Sequence, residues 1–234
     1  MELYGTVERL WRYPVKSFLG ESCPELSIDR RGVIGDRLFA IENRQGKFGS
    51  GKNTRRFRKI EGLFNFQAKY DADIPIITFP DRRIFRGDDS NLNQELSAAL
   101  GQPVRLVSEK NISHFDADSL HLVTSASLRW LQTLLPSSTI DERRFRPNLL
   151  IDTPGTKLIE HDWISKKLLI GQELRIEITN LTERCIMTSL PQQELDQDSQ
   201  IIKTISKKSQ HHFGVYARII KSGVVRIGDR VCCL

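Results

Sequence analysis

LRIEITNLTERCIMTS, residues 174–189, runs from strict apolar–polar alternation into a loop that sets Cys185 beside Arg184, with Pro191 just beyond. Alternation of period two over 174–178 marks a half-buried strand. In the loop, a guanidinium next to a thiol favours the thiolate, the form that attacks electrophiles and binds soft metals. The other reading of Cys185 is a small apolar side chain packed inside a barrel, and these residues alone leave both open.

Outward from this stretch the same short-strand signal recurs. It is found over residues 2–10, 38–41, 65–70, 75–79, 104–107, 120–123, 149–151, 168–171 and 214–220. Residues 224–234 read as one closing strand with a bend at Gly228 and Asp229. Asn43 to Lys47 form a hairpin turn in which Gly46 supplies positive φ. Three segments have helical character. Residues 91–100 carry Leu92, Leu96 and Leu100 on one stripe, with Asp89 or Ser90 as the expected cap and Gly101 as the stop. A second helix runs from Thr124 or Ser125 to about Leu135, and a third spans 199–207. Many short strands with few helices predict a β-rich α+β fold of curved sheets or barrels. The polar stretch 109–118 divides it into 1–110 and 111–234.

Composition narrows the function classes. The chain has 234 residues, 39% hydrophobic, and no apolar run near the ~20 residues of a membrane-spanning helix. Its first residues lack a signal-peptide pattern, so a cytoplasmic protein is expected. Cys23, Cys185, Cys232 and Cys233 show no metal-ligand spacing and no disulfide framework. Cys232 and Cys233 read as packing residues. The histidines form no zinc motif. Net charge is +6, with basic clusters at 53–59 and 143–146 that suit phosphate or form a solvated face. Residues 46–53 (GKFGSGKN) imitate a nucleotide-binding loop, but Asn53 stands where the magnesium-holding Ser or Thr belongs, so nucleotide hydrolysis is excluded. After Pro14 breaks the first strand, Lys16 and Ser17 offer a charge and a hydroxyl to a phosphate oxygen. The second helix presents its N-terminus as an anion site at Thr124 or Ser125.

Six motifs occur in order: WRYPVKS (11–17), GDRLF (35–39), RFRPN (144–148), RCIMTS (184–189), FGVYA (213–217) and GVVRIGD (223–229). Together they resemble the MOSC-domain family preceded by its N-terminal β-barrel domain, and are similar to bacterial relatives of the mitochondrial amidoxime-reducing component. The resemblance implies a molybdenum cofactor in which Cys185 ligates a molybdenum held otherwise by pterin dithiolene and oxo groups. It implies that Lys16, Ser17, Arg37, Arg146, Asn148 and Arg184 line the cofactor pocket, with Thr124 and Ser125 on a helix start facing it. The implied activity is reduction of small N-hydroxylated substrates. Electrons would come from a separate ferredoxin- or cytochrome-like donor, because no cluster-binding cysteine pattern is present. Mitochondrial-type members carry Asp-Pro after the cysteine loop, where this chain has Leu190-Pro191-Gln192-Gln193, and that departure bears on substrate specificity. Two alternatives stand beside this reading. One is a sulfur carrier using a Cys185 persulfide. The other is an anion- or nucleic-acid-binding module, ranked last because only Phe57 and Phe145 interleave the arginines and no nucleic-acid partner is expected.

Overall fold

In the computed structural model, which describes residues 2–234, seven strands close on themselves. Their order is Leu149–Asp152, Leu120–Thr124, His212–Lys221, Leu174–Glu183, Lys167–Ile170, Arg230–Cys233 and Glu2–Arg12, which returns to Leu149–Asp152. The alternation read from the sequence drives closure. Leu174, Ile176 and Ile178 are fully buried and Arg175 is exposed between them. Leu120, Leu122, Leu149, Ile151, Val215, Ala217 and Val231 complete the same interior. Neighbouring strands are antiparallel, except that Leu120–Thr124 runs parallel to Leu149–Asp152. A parallel pair needs a crossover, and the helix Ser125–Leu134 lies between those two strands in the chain. Closure leaves the barrel no open edge.

The remaining N-terminal residues build a second core. A four-stranded sheet (Val104–Ser108, Phe39–Asn43, Phe48–Ser50, Phe57–Lys59) and a three-stranded one (Ile84–Arg86, Ile74–Thr78, Gln67–Asp71) accompany helix α1 (Leu92–Ala99). Val15, Phe18, Ile41, Leu63, Phe66, Ile77, Leu92 and Leu96 pack between them. Helices α2 (Ser125–Leu134) and α3 (Ser199–Ser209) cover the barrel's outer wall, where Leu131, Ile201 and Ile205 meet Val123, Phe145 and Phe213. The fold is β-rich α+β as expected, with three α-helices among the described residues. Among the described residues no helix is long and apolar enough to cross a membrane.

Three details of the structure bear on local expectations. First, the barrel draws strands from both sides of residue 110. Strand Glu2–Arg12 is a stave of the larger barrel, and Glu25–Asp29 pairs with Gly223–Arg226, which brings Leu26, Ile28 and Val33 into the barrel interior. A barrel can take its last stave from any part of the chain, and local sequence does not record which. Second, residues 224–234 form two strands in different sheets. Between them Gly228 adopts φ 88 and the Asp229 carboxylate accepts from the Arg226 N–H at 2.7 Å, a turn too tight for one continuous strand. Third, α1 has Asn91 at its cap position with no side-chain cap bond. Asp89 instead accepts from the Asn91 N–H at 2.8 Å, a local Asx turn that competes with capping. The expected stop at Gly101 is present, with φ 64.

Candidate functional site

Alternation within the barrel strands creates a polar outer wall. Because Leu120 and Leu122 point inward, His121 points out; because Val215 and Ala217 point inward, so does Tyr216. Against this wall the N-terminal half sets Lys16, Ser17, Arg37, Ser50 and Lys52, and the cavity between them also receives Arg144, Arg146, Asn148, Arg184 and Cys185. Six cations face three carboxylates (Asp116, Asp118, Glu183) there.

Each cation is fixed by a specific contact. Lys16 is 2% exposed and its Nζ meets Asp116 Oδ2 at 2.8 Å and the Phe57 ring at 4.2 Å. Burial brings its pKa down to about 8, opposed by Asp116. Arg37 pairs with the fully buried Asp36, whose other oxygen accepts from the Tyr13 N–H at 2.8 Å. Burial works against the Arg37 charge, but Asp36 and Tyr13 outweigh it and its pKa rises. Arg146 donates from Nη1 to the Phe18 carbonyl at 2.6 Å. Burial, then the repulsion of Arg37, lower its pKa to about 10. Tyr13 lies against both guanidiniums, 4.2 Å from Arg146 and 4.8 Å from Arg37. Its aromatic face tolerates two like charges that would otherwise repel.

Arg184 donates from Nη2 to the Phe145 carbonyl at 2.6 Å, and its Nη1 lies 3.4 Å from His121 Nε2. Burial, then the Arg184 charge, push the His121 pKa well down, so the ring is neutral. Its Nδ1 faces the Arg146 carbonyl at 3.3 Å. A carbonyl only accepts, so Nδ1 carries the proton and Nε2 accepts from Arg184. Cys185 is half-buried at the start of a short 3-10 turn (Ile186–Ser189), and its carbonyl accepts from the Thr188 N–H at 3.2 Å.

Two features single out this cavity. Ser17, Arg37 and Arg146 are non-glycine residues at left-handed φ (63, 51 and 54), a strain of about 1 kcal/mol or more each that recurs where function demands it. In addition, Arg146 Nη2, Arg184 Nε and Arg144 Nη1 are buried without a partner among the described residues. Leaving such a donor unpaired costs about 1–3 kcal/mol or more, and an anionic acceptor relieves it. The donor set therefore fits a phosphate-bearing group, and the half-buried Cys185 thiol offers a soft ligand beside it.

The family model described as MOSC domain matches residues 109–232, and that of the MOSC N-terminal beta barrel domain matches 4–117. The chain belongs to the MOSC family. It is 23% identical to the bovine (Bos taurus) mitochondrial amidoxime reducing component 2, covering 99% of this chain and 84% of that protein. It is likewise 23% identical to the human (Homo sapiens) mitochondrial amidoxime-reducing component 1, over 100% of this chain and 84% of that protein. A crystal structure of the YUAD protein from Bacillus subtilis shares 11% identity at a TM-score of 0.49, over 97% of this chain and 93% of that one.

Of the site residues expected from the sequence, this MOSC chain gathers Lys16, Ser17, Arg37, Arg146, Asn148, Arg184 and Cys185 around one cavity. Thr124 and Ser125 are elsewhere. Thr124 caps α2 by accepting from the Ser127 N–H and donates to the buried Glu160, while Ser125 donates to Asp152 at 2.8 Å. Both hydroxyls serve the helix's attachment to the barrel. Asn148 lines the MOSC cavity with its amide engaged: Oδ1 accepts from the His121 N–H and Nδ2 donates to the Trp11 carbonyl. Arg144, readable as part of a solvated run, is 2% exposed. Sequence reasoning missed His121, Tyr216, Asp116 and Lys52. Lys52 sits in the segment set aside as a false nucleotide loop, and a basic residue directly after Gly51 was its one available signal.

Proposed function

We propose that this MOSC protein binds a molybdenum–pterin cofactor beside Cys185 and reduces N-hydroxylated small molecules with electrons from a separate donor protein. The observation that carries the reading is the single cavity in which a cysteine sulfur meets buried guanidiniums with unpartnered N–H groups. Relatives named amidoxime-reducing components, matched over nearly the whole chain, support the same chemistry.

Cys185 supplies the protein's sulfur ligand, and Arg144, Arg146, Arg184 and Lys16 hold the cofactor's phosphate and polar edge through charge-assisted hydrogen bonds. When bound, the group supplies a two-electron couple for removing an oxygen atom from nitrogen. Asp36 orients Arg37, and neutral His121 orients Arg184 by accepting from Nη1. Overall, an N-hydroxyl compound takes two electrons and two protons and leaves as the N–H compound and water.

The test is molybdenum content of purified protein, together with turnover of an N-hydroxylated substrate by an artificial reductant. Cys185→Ala is expected to lower turnover at least a hundredfold with the fold intact by circular dichroism. Full activity in that variant overturns the assignment. A labile added sulfur on Cys185 in the mass spectrum, with no molybdenum, turns the reading to sulfur carriage.

A further inference from the structure

Arg146 lines a second space besides the cavity at Cys185, a cleft of about 130 Å³. Segments far apart in the chain meet there: Trp11 to Gly20, Gln67, Arg143 to Arg146, and Gln192 with Gln193. Internal bonds hold these walls in place. Gln192 and Leu195 exchange both backbone hydrogen bonds, at 2.9 and 2.7 Å, with Gln193 at φ 45 in the turn between them. Arg143 fastens that turn by donating to Glu194 Oε1 at 2.7 Å, and Arg144 by donating to the Asp196 carbonyl at 2.9 Å. Gln67 Nε2 donates to the Gly20 carbonyl at 3.3 Å. A Cβ on Gly20 would stand 2.5 Å from both the Arg12 carbonyl oxygen and Tyr13 Cδ1, so this approach of the chain to itself requires bare backbone.

Several polar groups in these walls go unanswered. Gln192 is 2% exposed, and neither Oε1 nor Nε2 of its amide has a partner among the described residues. Trp11 Nε1 is buried and unpartnered in the same sense. Buried polar groups are paired as a rule, so an amide and an indole left open around one cleft point to an occupant that pairs them. Charge narrows its identity. Arg143 is neutralised by Asp141 and Glu194, each at 2.7 Å, whereas Arg146 has no carboxylate partner among the described residues and no carboxylate lines the cleft. One positive charge thus faces a space otherwise walled by Trp11, Tyr13 and Leu19, which suits a monoanion with a carbon skeleton better than a multiply charged ion. The two kinds of N–H suit carboxylate oxygens, while Gln192 Oε1 can only accept and requires a donor such as a hydroxyl. The volume is just under the roughly 150 Å³ that takes up benzene, which limits the guest to about six heavy atoms.

We propose that this cleft is a second ligand site, for a small 2-hydroxycarboxylate whose carboxylate accepts from Trp11 and Gln192 in the field of Arg146 and whose hydroxyl donates to Gln192 Oε1. The adjacent carboxylate and hydroxyl match the acceptor and donor ends of one amide, which explains why both ends of Gln192 are free. The inference goes beyond the reductase reading and does not depend on it, since no metal, cofactor or turnover enters.

The chain has three tryptophans, Trp11, Trp130 and Trp163, and of these Trp11 lines the cleft. Labelling tryptophan with 15N therefore gives three indole N–H signals, and Trp11→Phe identifies the reporter by its loss. Glycolate is titrated into the full-length protein as purified, with acetate, glycolamide and inorganic phosphate as comparison probes. Glycolate is expected to shift the Trp11 indole signal saturably, with a dissociation constant of about 1 mM, and to leave Trp130 and Trp163 unmoved. Acetate, which lacks the hydroxyl, and glycolamide, which lacks the charge, are expected to bind at least about fivefold more weakly, and Gln192→Leu to weaken glycolate at least about tenfold. Absence of a saturable Trp11 shift, the result if the cleft holds water only, overturns the inference. So does acetate, glycolamide or phosphate binding as tightly as glycolate, or undiminished glycolate binding by a folded Gln192→Leu. If that variant does not fold, the four probes on the unsubstituted protein decide the matter. These outcomes judge the cleft alone, and molybdenum content judges the reductase reading alone.

Discussion

A lysine ammonium with 2% of its surface exposed is held in this protein against its own solvation preference. Lys16 has Asp116 at 2.8 Å, yet burial still brings its pKa from the usual 10.5 to about 8, a difference of about 3 kcal/mol. In the unfolded chain the proton stays on until about pH 10.5, whereas the folded chain releases it near 8. Between those values the unfolded state binds more protons, so Lys16's burden on stability is full below pH 8 and fades as pH rises toward 10.5. In cofactor-free protein, Lys16→Met is therefore expected to raise stability by about 1–2 kcal/mol at pH 7. The gain should shrink toward zero by pH 10, as thermal unfolding across that range would show. The gain falls short of the full figure because Asp116 loses its partner, although it keeps 44% side-chain exposure and Lys52 at 4.0 Å. In the loaded protein the same substitution should weaken cofactor retention. At this scale the motifs made Lys16, Arg37, Arg146, Arg184 and Cys185 legible, because each lies in a short run of chemically distinctive neighbours. His121 and Tyr216 stand among apolar strand residues, and only knowledge of which barrel face lines a cavity separates them from ordinary strand positions.

Helix α2 shows how one element is fastened. Thr124 and Ser127 donate their hydroxyls to Glu160 Oε2 at 2.6 and 2.5 Å, in a site with no solvent exposure, while Glu160 Oε1 has no partner. Burial raises the Glu160 pKa, against the pull of those two hydroxyls. With its folded pKa above the unfolded one, Glu160 contributes stability that is complete below about pH 4.5 and is lost as pH rises through the folded value. Glu160→Gln should remove that decline, so that urea unfolding between pH 4 and 8 loses the corresponding downward slope. Thr124→Ala removes the cap and one partner of Glu160, and is expected to cost about 1–3 kcal/mol. The helix itself was readable in the sequence, from Thr124 or Ser125 to about Leu135. Its anchor was not, since Glu160 lies 36 residues further along the chain and meets Thr124 only once the barrel is closed.

Taken whole, the molecule is knotted together at the level of its cores though not of its chain path. The barrel needs Glu2–Arg12 to join Leu149–Asp152 with Arg230–Cys233, and Glu25–Asp29 to pair with Gly223–Arg226. A fragment comprising residues 111–234 should therefore not fold alone, its barrel lacking a stave and exposing two unpaired edges. Circular dichroism and amide-proton dispersion would show this, and a cooperatively folded fragment would contradict it. The full chain is expected to unfold in one transition, because the barrel's interior contains residues from both ends. By itself the sequence determined the β-rich α+β class, the three helices and the family, since alternation, leucine spacing and short motifs are local patterns that local physics obeys. Only the tertiary structure decided which strands close the barrel, which cations converge with Cys185 and which of their N–H groups lack partners. Those are matters of distance between residues far apart in the chain, and burial, which lowers Lys16 and neutralises His121, exists only when both halves are in place.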